Sequence, residues 1–179
     1  RKARLTCQEF FESLGAVPEK WGKVVKALLG LVLAQDAFQT PAIGGKDSMS
    51  GTYKDIDVPP TLISFAVTTA KASTTISQEL KAKDSVLAVA KHQGKDNYLP
   101  DYDALKALWD EVLALHEKGL VRSVTPIYRN DLSTALVTSA LGNEIGFDVT
   151  VGDIEKDLLP GNLLVELDPS AQTSLLTQI

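Results

Sequence analysis

Cysteine, methionine and histidine are scarce in this chain: 179 residues carry one Cys, one Met and two His. The lone cysteine, Cys7, cannot close an internal disulfide, so a reducing cytoplasm is the expected home. Neither His92 nor His116 has neighbours at metal-ligand spacing. His92 follows a predicted strand. His116 sits in the last turn of a predicted helix, where imidazole complements the helix dipole. Long apolar runs are missing too. The longest, "ALLGLVLA", is far too short to span a bilayer, and no signal-peptide pattern is visible, so no membrane partner is expected. Positive charge is in deficit, with 18 Lys and Arg against 23 Asp and Glu, a net charge of −5. That balance argues against general nucleic-acid binding but leaves room for a local basic site that takes a phosphate. An initiating Met is absent, and the last residues, "AQTSLLTQI", stop in an apolar pattern without a cap. Both ends read as cut, so an excised piece of a longer protein is expected.

What is present is ordinary core-forming material: 44% hydrophobic and 23% charged residues, enough for one domain or two small lobes. "LTCQEFFESLG" has apolar side chains at Leu5, Phe10, Phe11 and Leu14 and reads as a short helix. "VPEKWGKVVKALLGLVLAQDAFQT" opens with Pro18 in a first turn. Its Trp21, Val25, Leu28, Leu29, Val32 and Leu33 fall at helical spacing, which predicts an amphipathic helix of about five turns. "TPAIG" reads as a short strand, and "TLISFAVTTAK" as a buried one. A first lobe closes near Lys71, and the polar "ASTTISQELKAKD" reads as a linker.

Beyond it, "SVLAVAKH", "VRSVTPIY", "IGFDVTV" and "GNLLVEL" read as strands. "YLPDYDALKALWDEVLALHEKG" reads as a helix capped by Asp101 or Asp103 and ended by Gly119. "DLSTALVTSALGN" reads as a helix starting at Asp131, and "DPSAQTSLLTQ" as another starting at Asp168. The alternation defines an α/β or α+β protein, with residues 1–71 and 72–179 as its two parts.

The polar stretch between "TPAIG" and "TLISFAV" asks for an explanation, because a hairpin needs only a short turn. Gly44 and Gly45 let backbone approach a ligand, and successive N–H groups can form an anion-binding concavity. Lys46 adds a compact positive charge, and Ser48 and Ser50 add hydroxyls. "GGKDS" is not a P-loop, since the spacing and the following helix are absent. A phosphate or substrate site and a self-satisfied loop both fit this composition. Asp55 and Asp57 form a second pair, either for a metal or simply in a solvated turn. Met49 and Tyr53 read as packing residues. Cys7, without a catalytic partner, reads as structural.

"TPAIGGKDSMSGTYKDIDVPPTLISFAV" resembles the synthetase domain of the formylglycinamide ribonucleotide amidotransferase family (phosphoribosylformylglycinamidine synthases), in particular the long single-chain bacterial form. The resemblance runs upstream through "CQEFFESLG" and "EKWGKVVKALLGLVLAQ" and downstream to "LGNEIGFDVTV". The family belongs to the aminoimidazole ribonucleotide synthetase-like superfamily, whose synthetase region repeats an A lobe and a B lobe. The resemblance places this chain in the second copy: residues 1–71 would be the C-terminal half of an A lobe, and 72–179 most of a B lobe, truncated at its end. The other synthetase lobes and a glutaminase domain would be its partners in the same chain. An open sheet edge left by the cut would invite a homodimer.

The resemblance implies a ligase of purine biosynthesis. ATP activates the formyl amide oxygen of formylglycinamide ribonucleotide, and ammonia from glutamine then gives the amidine, with Mg²⁺ assisting. On the matching motif, Gly45 would contact nucleotide and Ser48 the substrate; by their own chemistry, Gly44 and Lys46 would meet a phosphate, Ser50 the substrate, and Asp47 a metal. No catalytic residue is assigned, and the isolated fragment is expected to be inactive. Two positions depart from the superfamily pattern. Lys46 stands where smaller relatives have a metal-ligating asparagine. Asn130-Asp131 stands where a B lobe commonly has two glycines, so a nucleotide pocket there would be altered or lost and Asp131 would serve as a helix cap. The alternatives are a non-catalytic, structural or nucleotide-binding repeat of that enzyme, and another ATP-using member of the superfamily.

Overall fold

The computed structural model describes residues 3–92, 94–95, 99–128, 131–156 and 158–179. The chain divides into two compact units, Arg1–Lys71 and Ala72–Ile179, each mixed in helix and strand.

Unit 1 is a three-stranded sheet with one long helix. Its strands are β1 (Arg4–Phe10), β2 (Ala42–Ser48) and β5 (Thr61–Val67), in the order β2-β1-β5. β1 runs parallel to β2 and antiparallel to β5. Helix α1 (Pro18–Phe38) follows β1, and a small hairpin, β3 (Thr52–Tyr53) with β4 (Ile56–Asp57), precedes β5.

Three expectations need correction here. The predicted helix at "LTCQEFFESLG" is strand β1 for most of its length. So short a segment cannot make a stable helix alone, and this stretch gains two hydrogen-bonded neighbours as a central strand. The strand predicted at "TPAIG" continues through the polar stretch to Ser48, because Gly44–Ser48 pair with Thr6–Phe10. Finally, β5 is not buried: Ile63, Phe65 and Val67 are exposed.

Helix α1 forms where Pro18 predicts, but its wide apolar stripe does not face the sheet. Val24 is its buried residue, packed with Phe11 and Leu14 and backed by Ala27 and Met49. Trp21, Val25, Leu28, Leu29, Val32 and Leu33 are exposed. Val24 and Ala27 reach the Phe11 and Leu14 cluster just past β1, and the larger side chains are left exposed.

Unit 2 is a four-stranded antiparallel sheet, β7-β8-β6-β9, made of β6 (Val86–Ala90), β7 (Val121–Pro126), β8 (Leu163–Leu167) and β9 (Leu176–Gln178). Helices α2 (Tyr102–Glu117) and α3 (Leu132–Leu141) supply separate apolar clusters. Leu105, Leu108, Val112 and Leu115 form the buried stripe of α2, Asp101 accepts the Ala104 N–H at its start, and Gly119 follows its end at φ +74°. Asp131 caps α3 by accepting the Thr134 N–H at 2.8 Å. Asn130, the residue before it, lies outside the described residues.

Two predicted elements are absent from unit 2. "IGFDVTV" is not a strand; Ile145, Val149 and Val151 pack as irregular chain on the cluster around Leu132 and Leu164. "DPSAQTSLLTQ" is not a helix. Asp168 instead accepts from the Ser170 N–H and hydroxyl, closing a turn. The distant Glu111 carboxylate takes the N–H groups of Ser174 and Leu175 at 2.8 and 2.9 Å, and the chain goes on as β9. N–H groups captured in this way are not available to start a helix.

Arg122 ties β7 to two loops by donating to Asp84 and Asp168, each at 2.7 Å. Arg122 holds Asp84 below the ordinary carboxylate value; for Asp168, Ser170 contributes first and Arg122 after it. Carboxylates with lowered folded-state pKa values contribute stability that is present above their unfolded value and is lost as pH falls through the folded one. The melting-temperature gap between the parent chain and Arg122→Ala should therefore be largest above about pH 4 and shrink below it. A gap unchanged down to pH 2 would show that the ion pairs contribute nothing.

Candidate functional site

The residues singled out in "GGKDSMS" lie on or just after an edge strand rather than in a loop. Alternation along β2 divides them between two faces. Gly45 and Asp47 share the α1 side of the sheet with their register partners Cys7 and Glu9. Gly44, Lys46 and Ser48 lie on the opposite, open face, with Thr6, Gln8 and Phe10 beside them. The polar residues expected to share one cradle thus divide between the two faces of the sheet.

On the open face, the Lys46 ammonium donates to the Asp47 carbonyl at a long 3.3 Å and forms no ion pair among the described residues. The Ser48 and Ser50 hydroxyls bond each other at 3.1 Å. An anion arriving here meets one ammonium and two hydroxyls that have few partners to give up. The two glycines differ. A Cβ on Gly45 would stand 2.3 Å from the Cys7 carbonyl oxygen, so strand packing by itself is enough to require this glycine. A Cβ on Gly44 would meet nothing within 4 Å, which leaves Gly44 open to a ligand.

Just past β1, Glu12 is buried and binds two helix lysines, Lys20 at 2.6 Å and Lys23. Lys20 also reaches Asp57 at 3.4 Å, and the Thr52 hydroxyl donates to Asp57 at 2.7 Å. The Thr52 hydroxyl, first among these causes, holds the Asp57 carboxyl down to about 2, while the Glu12 contact raises Lys20. This network ties β1, α1 and the hairpin together. It also answers the metal reading of Asp55 and Asp57: Asp57 is engaged by Thr52 and Lys20, and Lys54, at φ +55°, turns the hairpin just before Asp55. Among the described residues no three His, Cys, Asp or Glu side chains form a metal site. Met49 packs as expected. Tyr53 does not; it is exposed, with the Lys54 ammonium 5.5 Å from its ring centre.

Cys7 is buried, with its sulfur 3.8 Å from the Ser64 hydroxyl. In unit 2, His92 is buried, its backbone N–H donating to Asn162 and its ring contacting the Pro160 carbonyl at 3.0 Å. His116 contacts the Thr74 carbonyl at 2.9 Å. Sequence reasoning missed Glu9, Glu12, Lys20 and Lys23. Alternation of Cys7, Glu9 and Phe11 is the pattern that could have put Glu9 on the buried face of a strand.

The architecture is the aminoimidazole ribonucleotide synthetase-like α/β fold, which the chain shares with E. coli HypE, a hydrogenase maturation protein (TM-score 0.63, 11% identity, 94% of this chain and 60% of that one). It also matches PurLQS from Thermotoga maritima at TM-score 0.66 and 15% identity, over 99% of this chain and 28% of that one. Solved complexes of T. maritima PurL with ATP and with FGAR match at 0.61 and 0.62, with 14% and 13% identity, over 93% of this chain and 30% and 32% of theirs. By sequence, the chain is similar to phosphoribosylformylglycinamidine synthase subunit PurL of Lactobacillus helveticus (27% identical) and of Methanocaldococcus jannaschii (22%), over 88% of its own length in both cases. It spans 24% and 25% of those relatives, about a quarter of their length. No family model matches.

Proposed function

We propose that this chain is part of the second synthetase repeat of a phosphoribosylformylglycinamidine synthase, and that the end of β2 forms one wall of its ribonucleotide site. The observation that carries this reading is the open face of β2, where Lys46, Ser48 and Ser50 present an ammonium and two hydroxyls beside the unobstructed Gly44. The PurL complexes with ATP and FGAR, in the same fold, support the two ligand classes.

In this reading Lys46 neutralises a phosphate as a point charge, Ser48 and Ser50 hydrogen-bond formylglycinamide ribonucleotide, and Gly44 lets backbone approach. Asp47 suits Mg²⁺, which when bound would neutralise phosphate charge. The chain's own residues bind and orient; positioning and charge stabilisation are most of what phosphoryl transfer asks of a protein. The glutaminase and the remaining lobes would belong to the same enzyme. The exposed stripe of α1 and the open β2 edge are surfaces that such lobes, or a second copy of this chain, would cover.

Calorimetric titration with formylglycinamide ribonucleotide tests the proposal. Saturable binding, weakened about tenfold by Lys46→Ala and by Ser48→Ala, is expected, since a charge-assisted hydrogen bond contributes about 1.5–3 kcal/mol. Binding that both substitutions leave unchanged would refute it.

A further inference from the structure

Asp47 leaves β2 on the face opposite Lys46, and there it meets Glu9. The two residues are register partners on parallel strands, so their side chains lie on one face as neighbours. Glu9 is 7% exposed, yet among the described residues its carboxylate has no hydrogen bond and no ion pair. Buried carboxylates are almost always paired. Burial first, and then the Asp47 charge, raise its pKa. Nearby cations do not answer it: Lys20 and Lys23 are committed to Glu12, and Lys46 turns to a backbone carbonyl. Glu9 lines an open cleft of about 260 Å³ together with Cys7, Leu28, Gly45, Lys46, Asp47 and Met49. A carboxylate with no protein partner, open to the cleft beside a second like charge, is the arrangement that a bound cation resolves.

We infer that Glu9 and Asp47 together hold one divalent, oxygen-seeking cation of the Mg²⁺ class between β1 and β2. The inference deepens the reading above and rests on it for the phosphate the cation would face. The donor set decides the class. Two carboxylates, with the Cys7 sulfur turned to Ser64, do not make the closed nitrogen and sulfur shell of a structural zinc site. Mg²⁺ is commonly held by one or two carboxylates and keeps its other positions for water and substrate phosphates. Glu9 thereby joins the site as a ligand rather than a packing residue.

Mn²⁺, alone, is the ion to use, followed by electron paramagnetic resonance on the 179-residue chain and displaced by Mg²⁺. One Mn²⁺ per chain is expected, with affinity about tenfold lower or worse in both Glu9→Gln and Asp47→Asn. Melting in metal-free buffer supplies a second readout. Glu9→Gln should melt no lower than the parent, because it breaks no hydrogen bond or ion pair and relieves the repulsion with Asp47; replacing a carboxylate kept only for structure would lower the melting temperature. Absence of Mn²⁺ binding to the parent, or binding untouched by Glu9→Gln, would overturn the inference. If formylglycinamide ribonucleotide binds while Mn²⁺ does not, the cation site falls and the substrate wall stands. If Mn²⁺ binds, is lost in Glu9→Gln, and no ribonucleotide binds, the cation site stands and the substrate wall falls.

Discussion

Gly45→Ala is expected to unpair β2 from β1 and cost about 3 kcal/mol, at the upper end for overpacking, because the atom in the way belongs to the main chain. The new methyl would stand 2.3 Å from the Cys7 carbonyl oxygen, with the Cys7 carbon and nitrogen at 3.2 and 3.3 Å. Those atoms lie in the central strand, paired on both sides, and cannot retreat without breaking a ladder. Gly44→Ala is the matched control: its methyl enters open space, so stability should change by about 0.5 kcal/mol or less. Urea unfolding of the two variants checks the pair. If Gly44→Ala leaves stability intact but weakens ribonucleotide binding, the two adjacent glycines have different purposes, one for the fold and one for the ligand. Equal stability of both variants would show that β2 does not approach Cys7 as described.

A second large effect is expected in unit 2. Glu166, on β8, is 1% exposed, and its carboxylate accepts from the Lys81 and Ala82 N–H groups at 2.8–3.0 Å and from the Ser85 hydroxyl at 2.6 Å. Arg122 donates to the same hydroxyl at 2.8 Å. Glu166→Ala strips two backbone donors of their acceptor and opens a cavity, for an expected loss of about 3–5 kcal/mol. Glu166→Gln should fall between, since one oxygen remains and the amide nitrogen faces an N–H. The check is urea unfolding followed by Trp109 fluorescence in a Trp21→Phe background. A loss under about 1 kcal/mol would mean that the Lys81–Ala82 turn finds other partners.

These two sites show why parts of the protein were legible in the sequence and parts were not. Helix α2 was largely legible because its determinants are local: the stripe Leu105, Leu108, Val112 and Leu115, the Asp101 cap and the Gly119 stop all lie within one segment, although Leu113, which fits the same stripe by spacing, is exposed. The same holds for Asp131 and α3. β1 was not legible. Leu5, Phe10, Phe11 and Leu14 fit a helix as well as a strand, and the decision came from Gly44–Ser48 and Thr61–Val67, far along the chain. β9 failed for the same kind of reason, since the Glu111 carboxylate that captures Ser174 and Leu175 lies 63 and 64 residues away. The α1 stripe was read correctly as a pattern, but its exposure could not be read, because periodicity names a face without naming what covers it.

The geometry of the proposed site was half legible. "GGKDSMS" singled out Gly44, Lys46, Ser48 and Ser50 as candidates by residue type alone. That Asp47 lies on the opposite face, beside Glu9, needed the strand register. That Gly45 answers to Cys7 needed the bulge between Leu5 and Thr6 that sets the strands side by side.

Whether the end of β2 is a ribonucleotide wall is decided by a residue-resolved amide spectrum of the isotope-labelled chain during titration with formylglycinamide ribonucleotide. Saturable shifts are expected, centred on Gly44, Lys46, Ser48 and Ser50 and lost together in Ser48→Ala. Shifts confined to residues 72–179, or none at millimolar ligand, about the weakest affinity a specific site would show, would contradict that role.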